Sequence, residues 1–148
     1  MVKRLQRVTK IQLESPQYEG LILFGIVSRD PDYKLSLVLN QKIGISLKHS
    51  DPIIISDDSG NTHSFSRFAT SATSSDDIVY ILTSNRSGSF FMLKKLKNID
   101  YLFQINNSGS SDLELKISAI LRSTENIDAV FPIDMKTFND KNKIYLIQ

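Results

Sequence analysis

Residues 21–28 read Leu21-Ile22-Leu23-Phe24-Gly25-Ile26-Val27-Ser28, an apolar run that is as long as one β-strand. The run lacks the alternation of a strand with one face in water, so it predicts a strand covered on both faces in the interior of a sheet. Residues 29–44 follow directly and carry the features of a capped amphipathic helix. We expect this strand and this helix to form the centre of the core.

The first helix is predicted from its caps and from its apolar spacing. Asp30 is the expected N-cap, because its carboxylate can accept a hydrogen bond from a first-turn N–H, and Pro31 suits the first helical position. Gly44 is expected to end the helix in a left-handed conformation. The apolar residues at helical spacing are Leu35, Val38, Leu39 and Ile43.

A second helix is predicted to begin at Ser111. Ser111 and Glu114 have the spacing of a capping box, in which the side chain of each residue accepts a hydrogen bond from the backbone N–H of the other residue. The apolar stripe that this helix should bury consists of Leu113, Ile117, Ile120 and Leu121.

Short β-prone segments fill most of the remaining chain. Pro132 lies inside one of them, which predicts an edge strand because proline cannot donate to a β-ladder. The run at 78–82 is continuously apolar and predicts another interior strand. The predicted strands other than residues 21–28 are 11–13, 53–55, 63–69, 77–85, 99–105, 128–133 and 143–147.

The order of these elements predicts one α+β domain over residues 1–148, with a largely antiparallel sheet and two main helices packed against it. Residues 101–133 form a β-α-β unit of the kind used in ferredoxin-like folds. The first ten residues contain four lysines or arginines and predict a mobile basic lead-in. A phosphate-contacting arm is the alternative interpretation of this segment.

The composition limits the classes of function. Eighteen Lys and Arg oppose sixteen Asp and Glu, and the resulting net charge of +2 is too small to predict a nucleic-acid partner by itself. The chain contains no cysteine, which excludes disulfide scaffolds, cysteine-based zinc sites and thiol nucleophiles. The N-terminal segment lacks the apolar region of a signal peptide, and no apolar run has the length of a membrane span. A soluble cytoplasmic protein is therefore expected.

No catalytic or metal-binding pattern emerges. The serines lie outside any G-x-S-x-G elbow, and the two histidines have polar, turn-like surroundings. Asp57 and Asp58 open a segment that resembles a calcium loop, but its glycine is at the fourth place and Phe68 is at the twelfth, where that loop requires glutamate. A hairpin turn is the better interpretation. We expect a protein that is not an enzyme and that holds no metal or cofactor.

A set of short motifs consists of Phe24-Gly25-Ile26, the segments 32–35, 39–40 and 43–47, and the C-terminal segment 127–134. Together these motifs resemble the IPExxxVDY family of Bacteroidetes proteins. The motif that gives the family its name aligns with residues 93–101, where Ile99-Asp100-Tyr101 replaces V-D-Y and Leu93-Lys94-Lys95 lacks the P and the E. The resemblance implies a small bacterial cytosolic protein whose family has no assigned activity, cofactor or catalytic residue.

Four residues are candidates for a binding site. Asp100 lies in an apolar strand, where an unpaired inward carboxylate would be costly, so it should pair with Arg67 or Arg86, face solvent, or bind a ligand. Tyr101 follows it in the same motif. Tyr33 and Asn40 belong to the first helix and can either bind a ligand or support neighbouring loops.

A possible nucleic-acid patch comprises Lys94, Lys95 and Lys97, with Phe90 and Phe91 nearby to stack on bases. Lys3, Arg4 and Arg7 are possible additions to this patch. The first hypothesis is nevertheless a non-enzymatic binding or adaptor module that self-associates through an edge strand, its partner being itself or another protein. The alternatives are an RNA- or DNA-associated accessory protein that uses the lysines, and a domain that senses a small ligand.

Overall fold

The computed structural model describes residues 20–109 and 111–146, with the side chain of Ser111 excepted. Six strands form one antiparallel sheet, and a short two-stranded hairpin lies beside it. The strands of the large sheet are β1 (Ile22–Val27), β2 (Lys48–Ser56), β3 (Thr62–Ala69), β4 (Val79–Ser84), β7 (Tyr101–Asn106) and β8 (Ala129–Ile133), and those of the hairpin are β5 (Arg86–Ser87) and β6 (Phe90–Phe91).

Two α-helices accompany the sheet, α1 (Asp32–Leu39) and α2 (Ser111–Ser123). A π-helical turn (Asn40–Gly44) and two 3-10 helices (Lys94–Leu96 and Lys141–Leu146) complete the helical segments of the described chain. The prediction of an α+β fold with a largely antiparallel sheet and two main helices is confirmed.

The strand order β2-β3-β4-β7-β1-β8 places β1 between β7 and β8. The predicted interior position of β1 is therefore confirmed, and so is that of β4. Gly25 in β1 makes a close approach possible, because a Cβ at this position would lie 2.9 Å from the Ile99 side chain. Ile99 consequently packs directly on the backbone of this interior strand.

The two faces of the sheet bury different parts of the chain. On the first face, β1 and β7 contribute Phe24, Ile26 and Phe103, and the helices α1 and α2 contribute Leu35 and Leu121. On the second face, residues from 92–99 and 135–146 cover the sheet. The buried side chains of this second layer include Leu23, Phe65, Met92, Leu93, Ile99, Leu102, Met135 and Leu146.

Helix α1 begins one residue later than predicted. Pro31 is extended, with φ −67° and ψ 161°, and occupies the N-cap position, so the assignment of Asp30 as N-cap is wrong. The carboxylate of Asp32 instead accepts from the N–H of Tyr33 at 2.7 Å. The predicted left-handed conformation of Gly44 is confirmed by its φ of +79°. The α-helix itself ends at Leu39, and the π-helical turn continues it to Gly44.

Helix α2 connects β7 to β8 in a split β-α-β unit. Both strands run antiparallel to β1, which lies between them, so they are parallel to each other. Ile117 and Leu121 are buried in the first-face core, which confirms the predicted stripe. The predicted capping box involves the Ser111 side chain, which lies outside the described residues.

Two strand predictions need correction. Residues 143–147 were expected to form a strand, but Lys141–Leu146 is a 3-10 helix, because Asp140 turns the chain by accepting from the N–H groups of Asn142 and Lys143. The strand predicted at 53–55 is longer and starts at Lys48, and a bulge accommodates Pro52 within it. The first ten residues, the predicted strand at 11–13, and Ile147 lie outside the described residues.

Candidate functional site

Asp100 is held by two partners at the end of the sheet. Its Oδ1 lies 2.8 Å from Nη2 of Arg86, and its Oδ2 accepts from the N–H of Ser28 at 3.0 Å. Of the two predicted cations, Arg86 is therefore the partner, whereas the Nε of Arg67 donates to the carbonyl of Asp51 at 2.9 Å. Both carboxylate oxygens of Asp100 are used within the chain.

The Tyr101 hydroxyl closes the same region. It donates to the carbonyl of Asp30 at 2.5 Å. Burial, followed by the charges of Asp32, Asp100 and Asp30, raises the pKa of Tyr101 to about 12. The hydroxyl is thus a neutral donor at physiological pH, and it ties β7 to the loop before α1.

Among the buried side-chain oxygens and nitrogens of the described residues, one atom of Asp30 lacks a hydrogen-bond partner. Its Oδ2 has no hydrogen-bond partner, and its Oδ1 lies 3.7 Å from the Nζ of Lys34. No group of three or more metal-ligating side chains occurs in the described part of the chain.

Tyr33 and Asn40 do not join Asp100 and Tyr101 in one site. The Tyr33 side chain projects from α1 and is 62% exposed. Asn40 makes two hydrogen bonds to the backbone of Leu47, accepting from its N–H at 2.7 Å and donating to its carbonyl at 3.2 Å. Three of the four candidate residues thus make contacts that support the fold, and Tyr33 alone is free to reach a partner.

Asn85 is an organising residue that the sequence did not single out. Its side chain is fully buried, donates to the carbonyls of Leu96 and Ile99, and accepts from the N–H of Leu93. These bonds shape the segment that leads into β7. Asn85 follows a strand and precedes Arg86-Ser87-Gly88, a sequence that is typical of a turn. The sequence therefore gave no indication that its side chain is buried.

Lys94, Lys95 and Lys97 are all exposed on the segment that Asn85 shapes. The nearby aromatic rings already contact other side chains of the same chain. Phe90 is stacked on His63 with a centroid distance of 3.9 Å and has the Nζ of Lys94 at 5.4 Å. Arg86 covers the Phe91 ring at 5.3 Å. Both rings that were candidates for stacking on bases therefore have partners within the chain. The three lysines are exposed.

An apolar groove of about 520 Å³ runs beside the edge strand β8. We call it the β8 groove; its apolar lining is Leu96, Ile99, Phe131, Pro132, Ile133 and Phe138, and its charged lining is Lys95 and Asp134. Phe131 is 45% exposed. The position of Pro132 in β8 confirms the predicted edge strand.

No protein-family model matches this chain, and no curated protein does. The resemblance to the IPExxxVDY family therefore stays a prediction. Within the described residues, no helix is long and apolar enough to cross a membrane.

Proposed function

We propose that the protein is a non-enzymatic binding module that self-associates through the β8 groove. The observation that carries the proposal is the combination of an exposed ring and an apolar recess on one surface. Phe131 is 45% exposed at a groove of about 520 Å³. A two-fold axis beside β8 lets the Phe131 ring of each copy enter the groove of the other, as the self-complementary surface of a symmetric dimer requires.

The charges at the groove support the same arrangement. Lys95 and Asp134 both line it, and neither forms an ion pair with another described residue. A two-fold axis can bring Lys95 of one copy to Asp134 of the second copy, and the reciprocal pair forms by symmetry. A surface with one cation and one carboxylate is thus complementary to itself.

Side chains rather than strand addition carry this proposed contact. Pro132 removes a backbone donor from β8, and Pro52 with its bulge interrupts β2 at the other edge. Prolines and bulges are devices by which edge strands avoid open-ended pairing. The proposal therefore differs from the expected edge-strand pairing in its mode of contact, while the partner is the same.

Native mass spectrometry over a concentration series tests the proposal. We expect a monomer–dimer equilibrium with a dissociation constant on the order of micromolar, as small interfaces often show. Phe131→Ser and Lys95→Glu should each weaken the dimer, by about tenfold or more for Phe131→Ser. Ile54→Ser is the matched control, because Ile54 is 54% exposed on the opposite edge strand. A monomer at every concentration, or a dimer that Ile54→Ser weakens equally, would contradict the proposal.

Binding to RNA or DNA is the second candidate function, and the exposure of Lys94, Lys95 and Lys97 favours it. Fluorescence anisotropy with single-stranded RNA and DNA tests it over a range of salt concentrations. Loss of these three charges by substitution with glutamine should reduce the slope of log K against log salt by about 2. Binding that is absent, or that does not respond to salt, would reject this candidate.

A further inference from the structure

A second cavity lies away from the β8 groove, between the β2–β3 turn and the C-terminal 3-10 helix. We call it the polar cleft. It has a volume of about 480 Å³, which is within the range of small-molecule sites. The residues that matter for its chemistry are Asp57, Asp58, Phe90, Lys94, Lys141 and Tyr145.

One wall of the polar cleft is held by a chain of contacts. The Asp57 carboxylate accepts from the N–H groups of Ser59 and Asn61 and lies 2.9 Å from Nε2 of His63. The His63 ring is stacked on Phe90, with an interplanar angle of 5°. The turn and the β5–β6 hairpin are thus connected, and the geometry of this wall exists before any ligand binds.

The opposite wall is anchored by Asn142. This residue is buried, its side chain donates to the carbonyl of Met92 at 2.7 Å, and its N–H donates to Asp140 at 2.9 Å. These bonds hold Lys141 and Tyr145 at the cleft. A preorganised wall lowers the entropy cost of binding.

The free charges of the polar cleft favour an anion. Asp57 is committed to the turn and to His63, and the hydrogen bond from His63 is the main cause that lowers the pKa of Asp57. Lys94, Lys141 and Asp58 line the cleft, and none of them forms an ion pair with another described residue. Asp57 keeps its negative charge, so the two lysines and the two aspartates of the cleft balance in formal charge. Both oxygens of Asp57 are used by Ser59, Asn61 and His63, however, so the groups that remain open to a ligand are two ammonium groups and one carboxylate.

We propose that the polar cleft binds a small phosphate monoester that carries a flat ring. The phosphate lies between Lys94 and Lys141, whose two positive charges match the charge of a phosphate monoester at neutral pH, about −1.5 to −2. The ring packs against Tyr145, and Asp58 accepts a hydrogen bond from an N–H or O–H on the ligand. Phe90 supports Lys94 and does not take part in stacking, because His63 occupies its ring.

A ¹⁵N NMR titration with phenyl phosphate tests this site. We expect shifts of the amide signals of 55–59, 94 and 141–145. Lys94→Met and Lys141→Met keep the apolar stem and remove one charge each, and each should weaken binding about tenfold. Lys97→Met is the matched control, because Lys97 is exposed on the same segment and does not line the cleft. Inorganic phosphate should bind more weakly than phenyl phosphate, since it lacks the ring.

Titrations with adenosine monophosphate and with benzoate define the ligand class. Tighter binding of adenosine monophosphate than of phenyl phosphate would identify a nucleotide as the source of the phosphate, and the reverse order would identify another aryl phosphate. Benzoate, which carries one negative charge, should bind more weakly than either. The same titrations on the Phe131→Ser variant make the result independent of the β8 groove.

Three results would overturn the proposal. The first is an absence of shifts with both phosphate esters. The second is a set of shifts that lies outside the cleft residues. The third is equal weakening by Lys97→Met and by the two cleft variants, because diffuse attraction to a basic surface would then explain the binding.

Discussion

Asp100 and Arg86 form an ion pair with Oδ1 and Nη2 2.8 Å apart, and this pair connects the start of β7 to the β5–β6 hairpin. The pair is asymmetric. The carboxylate side chain is 16% exposed, whereas the guanidinium side chain is 51% exposed. Loss of the ion pair therefore costs more free energy at Asp100 than at Arg86. Water can take the place of the carboxylate at the exposed guanidinium, but it has little access to the Asp100 carboxylate.

Replacement of Asp100 by alanine should destabilise the fold. The change leaves the N–H of Ser28 without its acceptor and frees Arg86 into solvent, so we expect a loss of about 1–3 kcal/mol in the free energy of unfolding. Urea unfolding followed by circular dichroism measures this loss. Asp128→Ala is the control, because the Asp128 side chain is exposed, and a loss of equal size there would contradict the argument.

Asn85→Ala should cost more than a surface substitution of the same kind. Asn85 is fully buried. The change leaves the carbonyls of Leu96 and Ile99 and the N–H of Leu93 without the hydrogen bonds of its side chain. We expect a loss of about 3 kcal/mol from unsatisfied buried groups. Asn98→Ala, at an exposed position of the same segment, should change the stability by less than about 0.5 kcal/mol. Similar losses in the two variants would show that the Asn85 bonds contribute little.

The raised pKa of Tyr101 predicts a loss of stability in alkali. Its folded pKa of about 12 lies above the ordinary tyrosine pKa of 10.0, so the folded state keeps the proton where the unfolded state loses it. The stabilisation is complete below the unfolded pKa and is lost as the pH rises through the folded pKa. Tyr101→Phe should remove this alkaline component, and unfolding curves of both proteins at increasing pH measure it. An unchanged pH profile in the variant would contradict the assignment.

The lowered pKa of Asp57 predicts the opposite dependence in acid. Its folded pKa lies below the ordinary aspartate pKa of 3.8, with the hydrogen bond from His63 as the largest cause. Its contribution is therefore present above the unfolded pKa and is lost as the pH falls through the folded pKa. Asp57→Asn should flatten the acid side of the stability profile as the pH falls below about 5. Asp58→Asn, the neighbouring acid without a hydrogen bond to another described residue, should retain the acid slope of the parent protein.

Local patterns were sufficient for the main elements of this fold. The apolar run at 21–28 predicted an interior strand, and Pro132 predicted an edge; both features depend on what a single segment must bury or can donate. The failures have local causes as well. The short apolar run at 143–147 fits a strand and a 3-10 helix equally, and Asp140 decides the outcome through hydrogen bonds that periodicity does not reveal.

The sequence by itself determined both α-helices, most strands of the large sheet and which face of α2 is buried, because these properties follow from the spacing of residues within one segment. Only the tertiary structure chose Arg86 over Arg67 as the partner of Asp100, buried Asn85, and brought Lys94 to the same cleft as Asp57 and Lys141. Each of these contacts joins residues from separate segments. Their proximity depends on strand order and on the layers that cover the second face of the sheet, and no spacing along one segment encodes that arrangement.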